Sequence, residues 1–484
     1  MGYQPFVNLK SVIKLTVTNN TITLSIAPLK IESRLAPLDV FAPLANIPWA
    51  MWLDSCSSDH IDSQFDIMVW QPAITLTTKD QTTTIHNLNN ETVELSDDDP
   101  LFLINKIQTK LFSPSLISAF DIPFKGGAVG YFSYDLGRHF ETLPAKAKQD
   151  IGIADMAIGI YTQAIVFNRH SKQYYLVCPD DKRTSIEQAF AQQLNEHLSK
   201  KNQNQLAFKL SSAWQANISK KEYAQKFARV HRYLLSGDCY QINLSQRFTA
   251  TYQGDEFSAY TALREKNKAP FSAFIRLENC AILSISPERF LQLKQGKVQS
   301  KPIKGTRPRS PNASIDAANA SELLNSEKDK AENLMIVDLL RNDISKVCLP
   351  GSVNVPKLFD IESFPAVHHL VSTVEGELAP EYNATDLLRG AFPGGSITGA
   401  PKIRAMEIIE ELEPQRRSVY CGSIGYISAC GNMDSSITIR TLICQNNNIY
   451  CSAGGGLVAD SNVDNEYQET FDKVHKILPV LSAL

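Results

Sequence analysis

The 484-residue sequence lacks features that mark several common classes of protein. Its 48 basic and 51 acidic residues give a formal net charge of −3 and form no basic block, so nucleic acid is not an expected partner. No run reaches the roughly 18 apolar residues that a membrane-spanning helix needs. Residues 1–6 show neither a basic start nor a long apolar stretch, so we predict no signal peptide. These absences predict a cytoplasmic protein without a membrane segment.

The spacing of the cysteines also gives no sign of disulfide pairing. The nine cysteines are scattered and include no C-x-x-C pair, which indicates reduced and mostly buried thiols. The apolar fraction of 43% can fill a sizeable core, and the length suits two or three domains or one two-lobed unit.

The polar segment 200–205 is the best candidate for a linker, and it divides the chain into residues 1–205 and 206–484. Motifs with chemical potential concentrate in the second part. Alternating patterns predict strands, and residues 156–167 are expected to form one of them. Residues 240–244 are expected to form a half-buried strand, with apolar and polar side chains alternating.

Lys304 stands between small and apolar neighbours in the segment Pro302–Pro308. Such a setting can desolvate a lysine, so that it acts as a nucleophile or base. A hairpin with a turn at Gln295-Gly296 would place Glu288 opposite residue 303, and a single bulge would bring Glu288 across from Lys304. An exposed cross-strand ion pair, or a solvated surface lysine, is the plainer alternative.

Two predicted helices each carry acids three residues apart, which places both carboxylates of a pair on one helix face. The pairs are Asp329 with Glu332 and Glu466 with Glu469. Acidic faces of helices are usually only solvated surface. If the two faces converge, however, their hard oxygen ligands suit Mg²⁺.

A glycine-rich segment, residues 392–402, leads into a predicted helix. Backbone N–H groups at such a start can bind an anion, and this makes Thr398 a candidate substrate-binding residue. No Gly-Lys-Ser/Thr follows, so the segment is not a Walker A loop and a nucleotide phosphate is not expected. A plain loop is the alternative.

Three further features complete the set of candidate residues. Residues 436–441 are predicted as one strand, with Arg440 on its polar face and able to hold a carboxylate by a bidentate fork. Residues 453–457 contain three glycines whose amides can face a ligand. A lone histidine such as His369 is usually a core residue whose hydrogen bonds are satisfied. An acid–base role is the alternative here.

At these motifs the chain resembles the chorismate-utilising enzymes. The segments that carry the resemblance are 329–342, 392–402, 436–441 and 467–470, and it extends over nearly the whole chain from about Trp49. It implies an α+β fold: two large antiparallel β-sheets packed as a sandwich with helices outside, both halves of the chain contributing. Residues 1–205 would then be an anthranilate-synthase-I-like half and residues 206–484 the chorismate-binding catalytic half.

The resemblance also implies roles for single residues. Glu332 and Glu469 match direct Mg²⁺ ligands, and Asp329 and Glu466 match positions that act through water or support that shell. The substrate-binding positions match Arg440, Tyr420 and the amides near Gly456, and His369 matches the histidine near the leaving hydroxyl.

The residue at position 304 separates the members of the family. Anthranilate synthases carry alanine there, whereas aminodeoxychorismate synthases carry lysine, as in this chain. The implied reaction is attack by Lys304 on C2 of chorismate, with Glu288 as general acid–base, followed by ammonia at C4 to give 4-amino-4-deoxychorismate for para-aminobenzoate and folate synthesis. Isochorismate synthases use a lysine at the position of Gln241 to activate water, and a glutamine is no general base.

The implied partner is a separate glutamine amidotransferase subunit, because the chain shows no Cys-His-Glu glutaminase pattern. Some family members also hold a tryptophan between the sheets. Residues 62–65 depart here from the usual aromatic-Ser-Arg-Phe pattern, which weakens the case for tryptophan. The positions that match the tryptophan site are Ser55, Asp62, Ser63, Gln64, Phe65, Pro270, Phe271 and Ser272.

Two other functional classes fit the same residues less well. A catalytically dead scaffold would not need the intact set of Glu288, Lys304, Glu332, Arg440 and Glu469. A Mg²⁺-dependent phosphotransferase would need the missing Gly-Lys-Ser/Thr motif.

Overall fold

Two antiparallel β-sheets dominate the part of the chain that the computed structural model describes, one with 13 strands and one with 12. The described residues are 21–32, 35–56, 60–113, 120–200, 207–364 and 367–484. Of the predicted linker 200–205, only Lys200 is among them, and it ends a helix. None of the described helices is both long and apolar enough to cross a membrane.

The described strands number 25 in chain order, and they are mostly short. They are β1 (Leu24–Leu29), β2 (Met51–Asp54), β3 (Phe65–Val69), β4 (Ile74–Lys79), β5 (Thr82–Asn87), β6 (Thr92–Ser96), β7 (Gly127–Phe132), β8 (Met156–Tyr161), β9 (Ala164–Asn168), β10 (Gln173–Pro179), β11 (Lys209–Leu210), β12 (Gln215–Ala216), β13 (Gln241–Gln253), β14 (Phe271–Arg276), β15 (Cys280–Ser286), β16 (Arg289–Lys294), β17 (Lys297–Ser300), β18 (Ile303–Pro308), β19 (Asn354–Ser363), β20 (Val367–Glu377), β21 (Gly399–Ala400), β22 (Ser423–Ser428), β23 (Met433–Ile437), β24 (Thr441–Gln445) and β25 (Asn448–Leu457).

The described α-helices number 11, and short 3₁₀ turns span residues 42–44, 134–139, 180–182 and 395–397. The helices are α1 (Pro37–Phe41), α2 (Pro100–Leu111), α3 (Arg183–Lys200), α4 (Lys220–Leu235), α5 (Glu256–Asn267), α6 (Ala313–Asn325), α7 (Glu327–Ser345), α8 (Ala384–Ala391), α9 (Lys402–Leu412), α10 (Val463–Asp472) and α11 (Leu478–Ser482).

Both halves of the chain contribute to both sheets. The larger sheet runs β1-β10-β9-β3-β2-β14-β15-β24-β25-β13-β11, with β12 and β21 added at β13. The smaller sheet runs β18-β20-β17-β16-β23-β22-β7-β8-β4-β5-β6, with β19 paired to β20. Each path joins strands from before and after residue 205, so the predicted α+β fold with a shared pair of sheets is confirmed. The boundary at residue 205 stays a prediction.

The main core lies between the two sheets. Apolar side chains from the larger sheet, such as Met51 and Ile275, meet side chains from the smaller sheet, such as Val129 and Ile158. A second cluster packs α3 and α5 on the outer face of the larger sheet, and a third packs α4 and α9 on β13. This is the sandwich with outer helices that the sequence predicted.

Local signals set several element ends as expected. Ser219 and Glu222 form a capping box at the start of α4: the Ser219 hydroxyl accepts from the Glu222 N–H, and the Ser219 N–H donates to the Glu222 carboxylate at 2.7 Å.

All nine cysteines are free thiols, and seven of them are buried.

Two predicted strands were wrong because each is in fact two strands that lie in different sheets. Residues 156–167 were expected as one strand, but β8 belongs to the smaller sheet and β9 to the larger. Residues 436–441 likewise split between β23 and β24, which lie in different sheets. The strand predicted at 240–244 is not half-buried either: Gln241 and Asn243 are as inaccessible as Ile242 and Leu244, whereas Tyr240 precedes the strand and is exposed. Its polar face points into the interior.

Candidate active site

Lys304 reaches the site on a strand that leaves the predicted hairpin. Strands β16 and β17 pair in the predicted register, with Lys294 opposite Lys297. The pairing stops at Ser300, and β18 pairs with β20 instead, so that Lys304 faces Leu370. Pro302 has no N–H to donate to β16, which favours this departure. Lys304 is therefore not a cross-strand partner of Glu288.

A bulge does occur, at Gly305. Lys304 pairs with Leu370 and Thr306 with His369, so Gly305 is the extra residue of β18. Its φ of +75° is in the left-handed region, and a Cβ there would lie 2.8 Å from Cγ of Asp329. Only glycine allows α7, which carries Asp329, to approach the lysine strand this closely.

Ser396 links Glu288 and Lys304. Its hydroxyl donates to Oε1 of Glu288 at 3.0 Å, and its backbone carbonyl accepts from Nζ of Lys304 at 3.3 Å. The backbone N–H of Ile303 also hydrogen-bonds Glu288, whose side chain is only 6% exposed. The structure therefore brings the predicted acid and the predicted nucleophile to the same residue.

Burial shifts the pKa values of these two groups in opposite directions. Desolvation raises the pKa of Glu288, although the charge of Lys304 and the hydroxyl of Ser396 act against it. Desolvation lowers the pKa of Lys304, against the charges of Glu332 and Glu288. The two shifts favour the protonated form of the carboxyl, which suits an acid, and the neutral form of the amine, which suits a nucleophile.

His369 lies on β20 beside the bulge. Its Nδ1 is 2.8 Å from Oγ1 of Thr306. Burial, together with the charge of Arg440, lowers the pKa of His369 to about 3. The imidazole is therefore neutral at physiological pH and serves as a hydrogen-bonding group rather than as a cation.

The four predicted metal-binding acids project from α7 and from α10. Lys328 stands 3.8 Å from Glu332, Lys473 pairs with Glu469 at 2.7 Å, and Arg307 lies 3.3 Å from Asp329. Burial raises the pKa of Glu332, with Asp329 and Glu469 acting in the same direction, so the faces of the two helices interact. Three of the four acids therefore have a basic side chain beside them.

Glu466 provides the clearest sign of a cation site. Its Oε1 accepts the Ser461 hydroxyl at 2.7 Å, while its buried Oε2 has no hydrogen-bond partner among the residues that the structure describes. Burial raises the pKa of this carboxyl, and the charge of Glu469 adds to the shift. No three ligand atoms of the four acids lie within 4.8 Å of one another among the described residues. A buried carboxylate oxygen without a partner, beside a second helix of acids, fits the hard oxygen donors that Mg²⁺ takes.

Arg440 does not lie within a strand, which corrects the prediction. It sits in the link between β23 and β24 with φ +52°, where the chain crosses from one sheet to the other. Burial lowers its pKa, against the charge of Glu288. No carboxylate of the described residues lies within 4.0 Å of its guanidinium, so its donors are available to a substrate carboxylate.

The remaining predicted substrate-binding residues differ in what they offer. Tyr420 is buried with the guanidinium of Arg417 over its ring at 5.8 Å. A Cβ on Gly456 would lie 2.2 Å from Nε2 of Gln241, so a side chain there would displace this amide. The hydroxyl of Thr398 donates to the carbonyls of Gly394 and Gly395, and it holds the loop rather than pointing to a ligand.

Three functional candidates lacked a specific role in the sequence prediction. Lys473 donates to the carbonyl of Gly454 at 2.6 Å, and its charge acts on both Glu288 and Lys304. Its four-residue spacing from Glu469 was the available signal. Gln241 is fully buried, and within the described part of the chain neither its amide nitrogen nor its amide oxygen has a hydrogen-bond partner. Ser396 gave no signal, because only the folded loop brings it to Glu288.

A separate cavity of about 500 Å³ lies between the two sheets. Of the eight predicted tryptophan-site positions, Ser63 does not line it: this serine is fully buried, and its hydroxyl has no partner. The other seven all line the cavity and are Ser55, Asp62, Gln64, Phe65, Pro270, Phe271 and Ser272.

Charged side chains cross one wall of this cavity. Arg289 pairs with Asp62 at 2.7 Å and with Asp434 at 3.0 Å, and its guanidinium lies over the ring of Phe271. Lys301 pairs with Glu362 at 2.5 Å. Since Arg289 follows Glu288 directly, the cavity and the candidate active site share one stretch of backbone.

Known proteins match this chain over most of its length. The family model for chorismate binding enzymes matches residues 50–479. Aminodeoxychorismate synthase component 1 of Klebsiella aerogenes is 55% identical over 92% of this chain and 96% of that protein, and the protein of the same name from Salmonella typhimurium is 53% identical over 90% and 94%. The crystal structure of anthranilate synthase component I from Streptococcus pneumoniae superposes with a TM-score of 0.75 at 33% identity, covering 87% of this chain and 94% of that one.

Proposed function

This chain belongs to the family of chorismate-binding enzymes, and we propose that it converts chorismate and ammonia to 4-amino-4-deoxychorismate for para-aminobenzoate synthesis. The observation that carries the proposal is Lys304, a desolvated lysine that shares Ser396 as a hydrogen-bond partner with buried Glu288, whose pKa is raised by burial. The related enzymes that aminate C2 carry alanine at this position.

The covalent route follows from these two groups. The amine of Lys304 bonds to C2 of chorismate, the two ring double bonds shift, and the 4-hydroxyl takes the proton of Glu288 and leaves as water. Ammonia then bonds to C4, the double bonds shift back, and the bond between C2 and Lys304 breaks. The proton that the new amine releases returns to Glu288. Two easier displacements thereby replace one difficult displacement.

Nearby residues support this chemistry and argue against attack of water on the chorismate ring, which would give isochorismate. Neutral His369 offers a hydrogen-bonding group where the 4-hydroxyl would leave, and the fork of Arg440 suits a substrate carboxylate. Gln241 cannot accept a proton from water as a lysine base does, so isochorismate formation is disfavoured.

Mg²⁺ is part of the proposal, with Glu332 and Glu469 as its ligands and Asp329 and Glu466 supporting them. When bound, the ion would neutralise and orient a substrate carboxylate. The orphaned oxygen of Glu466 supports this assignment. The side chains of the site, rather than the ion, would hold the substrate ring between Lys304 and Glu288.

A separate glutamine amidotransferase subunit is the proposed source of ammonia, since the relatives at 53–55% identity are each named component 1. We place the reaction in the cytoplasm, where nine free thiols stay reduced.

The cavity between the sheets is the proposed tryptophan site. Its volume of about 500 Å³ suits an amino acid of that size. The acids along its wall, such as Asp62 and Glu362, suit an ammonium group, and Phe271 offers an aromatic face.

Incubation of the protein with chorismate, Mg²⁺ and ammonium, followed by identification of the product, tests the proposal. We expect 4-amino-4-deoxychorismate, and omission of Mg²⁺ should stop its formation. Anthranilate, isochorismate or unchanged chorismate would each contradict the assignment.

A further inference from the structure

We infer that Ser396 is a positioning residue for the amination, and that it holds the acid Glu288 and the nucleophile Lys304 in place through two different atoms. The inference rests on the proposed function. Its basis is the pair of contacts already described: the Ser396 hydroxyl on Oε1 of Glu288 and the Ser396 carbonyl on Nζ of Lys304.

The loop that carries Ser396 fits tightly between two elements. A Cβ on Gly394 would lie 2.7 Å from Cδ1 of Ile437 on β23, and a Cβ on Gly395 would lie 2.4 Å from Cδ2 of Leu339 on α7. Glycines at these two positions let the 3₁₀ turn of residues 395–397 pass between the sheet and the helix. The backbone of Ser396 is therefore fixed from both sides.

Side chains from three places fix the same loop. Arg417 donates to the carbonyl of Ile397 at 2.8 Å, and Thr398 donates to the carbonyl of Gly394 at 3.0 Å. Lys402 donates to the carbonyl of Ala391 at 2.7 Å and pairs with Asp343 of α7 at 2.6 Å. These anchors act on Ala391, Gly394 and Ile397, on both sides of Ser396 in the loop, so its hydroxyl and carbonyl are presented in one arrangement.

Each contact has a chemical consequence. With Oε1 of Glu288 accepting the serine hydroxyl, the proton of the acid is favoured on Oε2, where it can be given to the leaving hydroxyl. With one N–H of Lys304 donated to the Ser396 carbonyl, the lone pair of the neutral amine is directed away from the loop. One residue therefore orients both reacting groups.

The charges that face Glu288 come from three elements: Lys304 of β18, Lys473 after α10, and Arg440 between β23 and β24. The Ser396 hydroxyl adds a hydrogen bond that favours the carboxylate form. Its removal therefore raises the pKa of Glu288 further above the ordinary value, while the three cations stay in place.

The test compares the Ser396→Ala and Ser396→Thr variants with the parent enzyme in steady-state amination of chorismate by ammonium across pH. In Ser396→Ala we expect kcat to fall about 10- to 100-fold, because Glu288 loses the hydroxyl that orients it while the carbonyl on Lys304 is kept, with KM for chorismate little changed. The limb of the kcat profile that the loss of the Glu288 proton sets should move up by about one pH unit. Ser396→Thr keeps the hydroxyl and should restore the parent values.

Ser423→Ala is the matched control, since Ser423 is fully buried and its hydroxyl bonds only the backbone carbonyl of Ser436. It should keep the parent kcat and pH profile. A loss of kcat in Ser396→Ala without a shifted limb, or a folded Ser396→Thr that stays as slow as the alanine variant, would overturn the inference. So would a Ser396→Ala variant as fast as the parent. A parent without amination activity would instead overturn the proposed function.

Discussion

Burial changes the chemistry of two side chains at the centre of the site. Glu288 keeps its proton to a higher pH than an exposed glutamate, and Lys304 loses its proton at a lower pH than an exposed lysine. Desolvation is the largest cause in both cases. Both shifts increase the fraction of molecules in which Glu288 is protonated while Lys304 is neutral.

Reactivity of Lys304 toward acetic anhydride, followed by mass spectrometry of its peptide across pH, measures this shift. The half-reaction pH should lie below the ordinary lysine value of 10.5. In Glu288→Gln it should fall further, because the carboxylate that favours the charged amine is gone. Exposed Lys221 provides the internal reference. An unchanged or higher value in Glu288→Gln would contradict the account.

Single residues also show how far the sequence carried the prediction. The tight surroundings of Lys304 and the acids at three-residue spacing are local patterns, and they identified side chains that the structure places around one site. The role of Ser396 was out of reach, because its contacts join segments more than 90 residues apart. Likewise, nothing in the sequence shows that both amide atoms of Gln241 lack partners.

At the scale of elements, register was predictable and sheet membership was not. The Gln295-Gly296 turn fixes the pairing of β16 with β17, because a two-residue turn leaves one register. The departure of β18 to β20 depends on a distant strand. The crossing at Arg440, where φ is +52°, likewise reflects the packing of two sheets rather than any local alternation.

Gly305→Ala tests the close approach of β18 and α7. The new methyl group would sit in a left-handed conformation and collide with Asp329, so we expect a loss of stability of about 2 kcal/mol or more, and a large loss of kcat. Thermal unfolding and steady-state kinetics measure these effects.

Gly296→Ala is the matched control for that substitution. Gly296 has a similar φ of +78°, but nothing lies within 4 Å of its Cβ position. It should show the cost of the conformation alone, about 1 kcal/mol, with kcat unchanged. Equal losses in the two variants would show that the contact with Asp329 is unimportant.

At the scale of the whole molecule, each sheet takes strands from both halves of the chain, and the cavity between the sheets is separate from the candidate active site. Glu288 belongs to the candidate active site, and the next residue in the chain, Arg289, lines the cavity. The ion pairs of Arg289 with Asp62 and Asp434 hold the backbone of these two residues in place from the cavity side. The resemblance predicted the sandwich, whereas the charged wall of the cavity needed the structure.

Equilibrium dialysis with labelled tryptophan tests the proposed occupant of the cavity. We expect saturable binding, and Asp62→Asn should weaken it about tenfold because one carboxylate near the ammonium group is lost. Asp121→Asn is the control, since Asp121 lies at the rim with its side chain 84% exposed. Absence of binding to the parent protein would exclude tryptophan from this site.

The central claim is that Lys304 forms a covalent bond to the substrate ring. Intact-protein mass spectrometry after incubation with chorismate and Mg²⁺, without ammonia, measures it most directly. We predict a mass increase equal to chorismate minus water, located on the peptide that contains Lys304 and absent in Lys304→Ala. A parent protein without that adduct under any trapping condition, together with full activity in Lys304→Ala, would contradict the account.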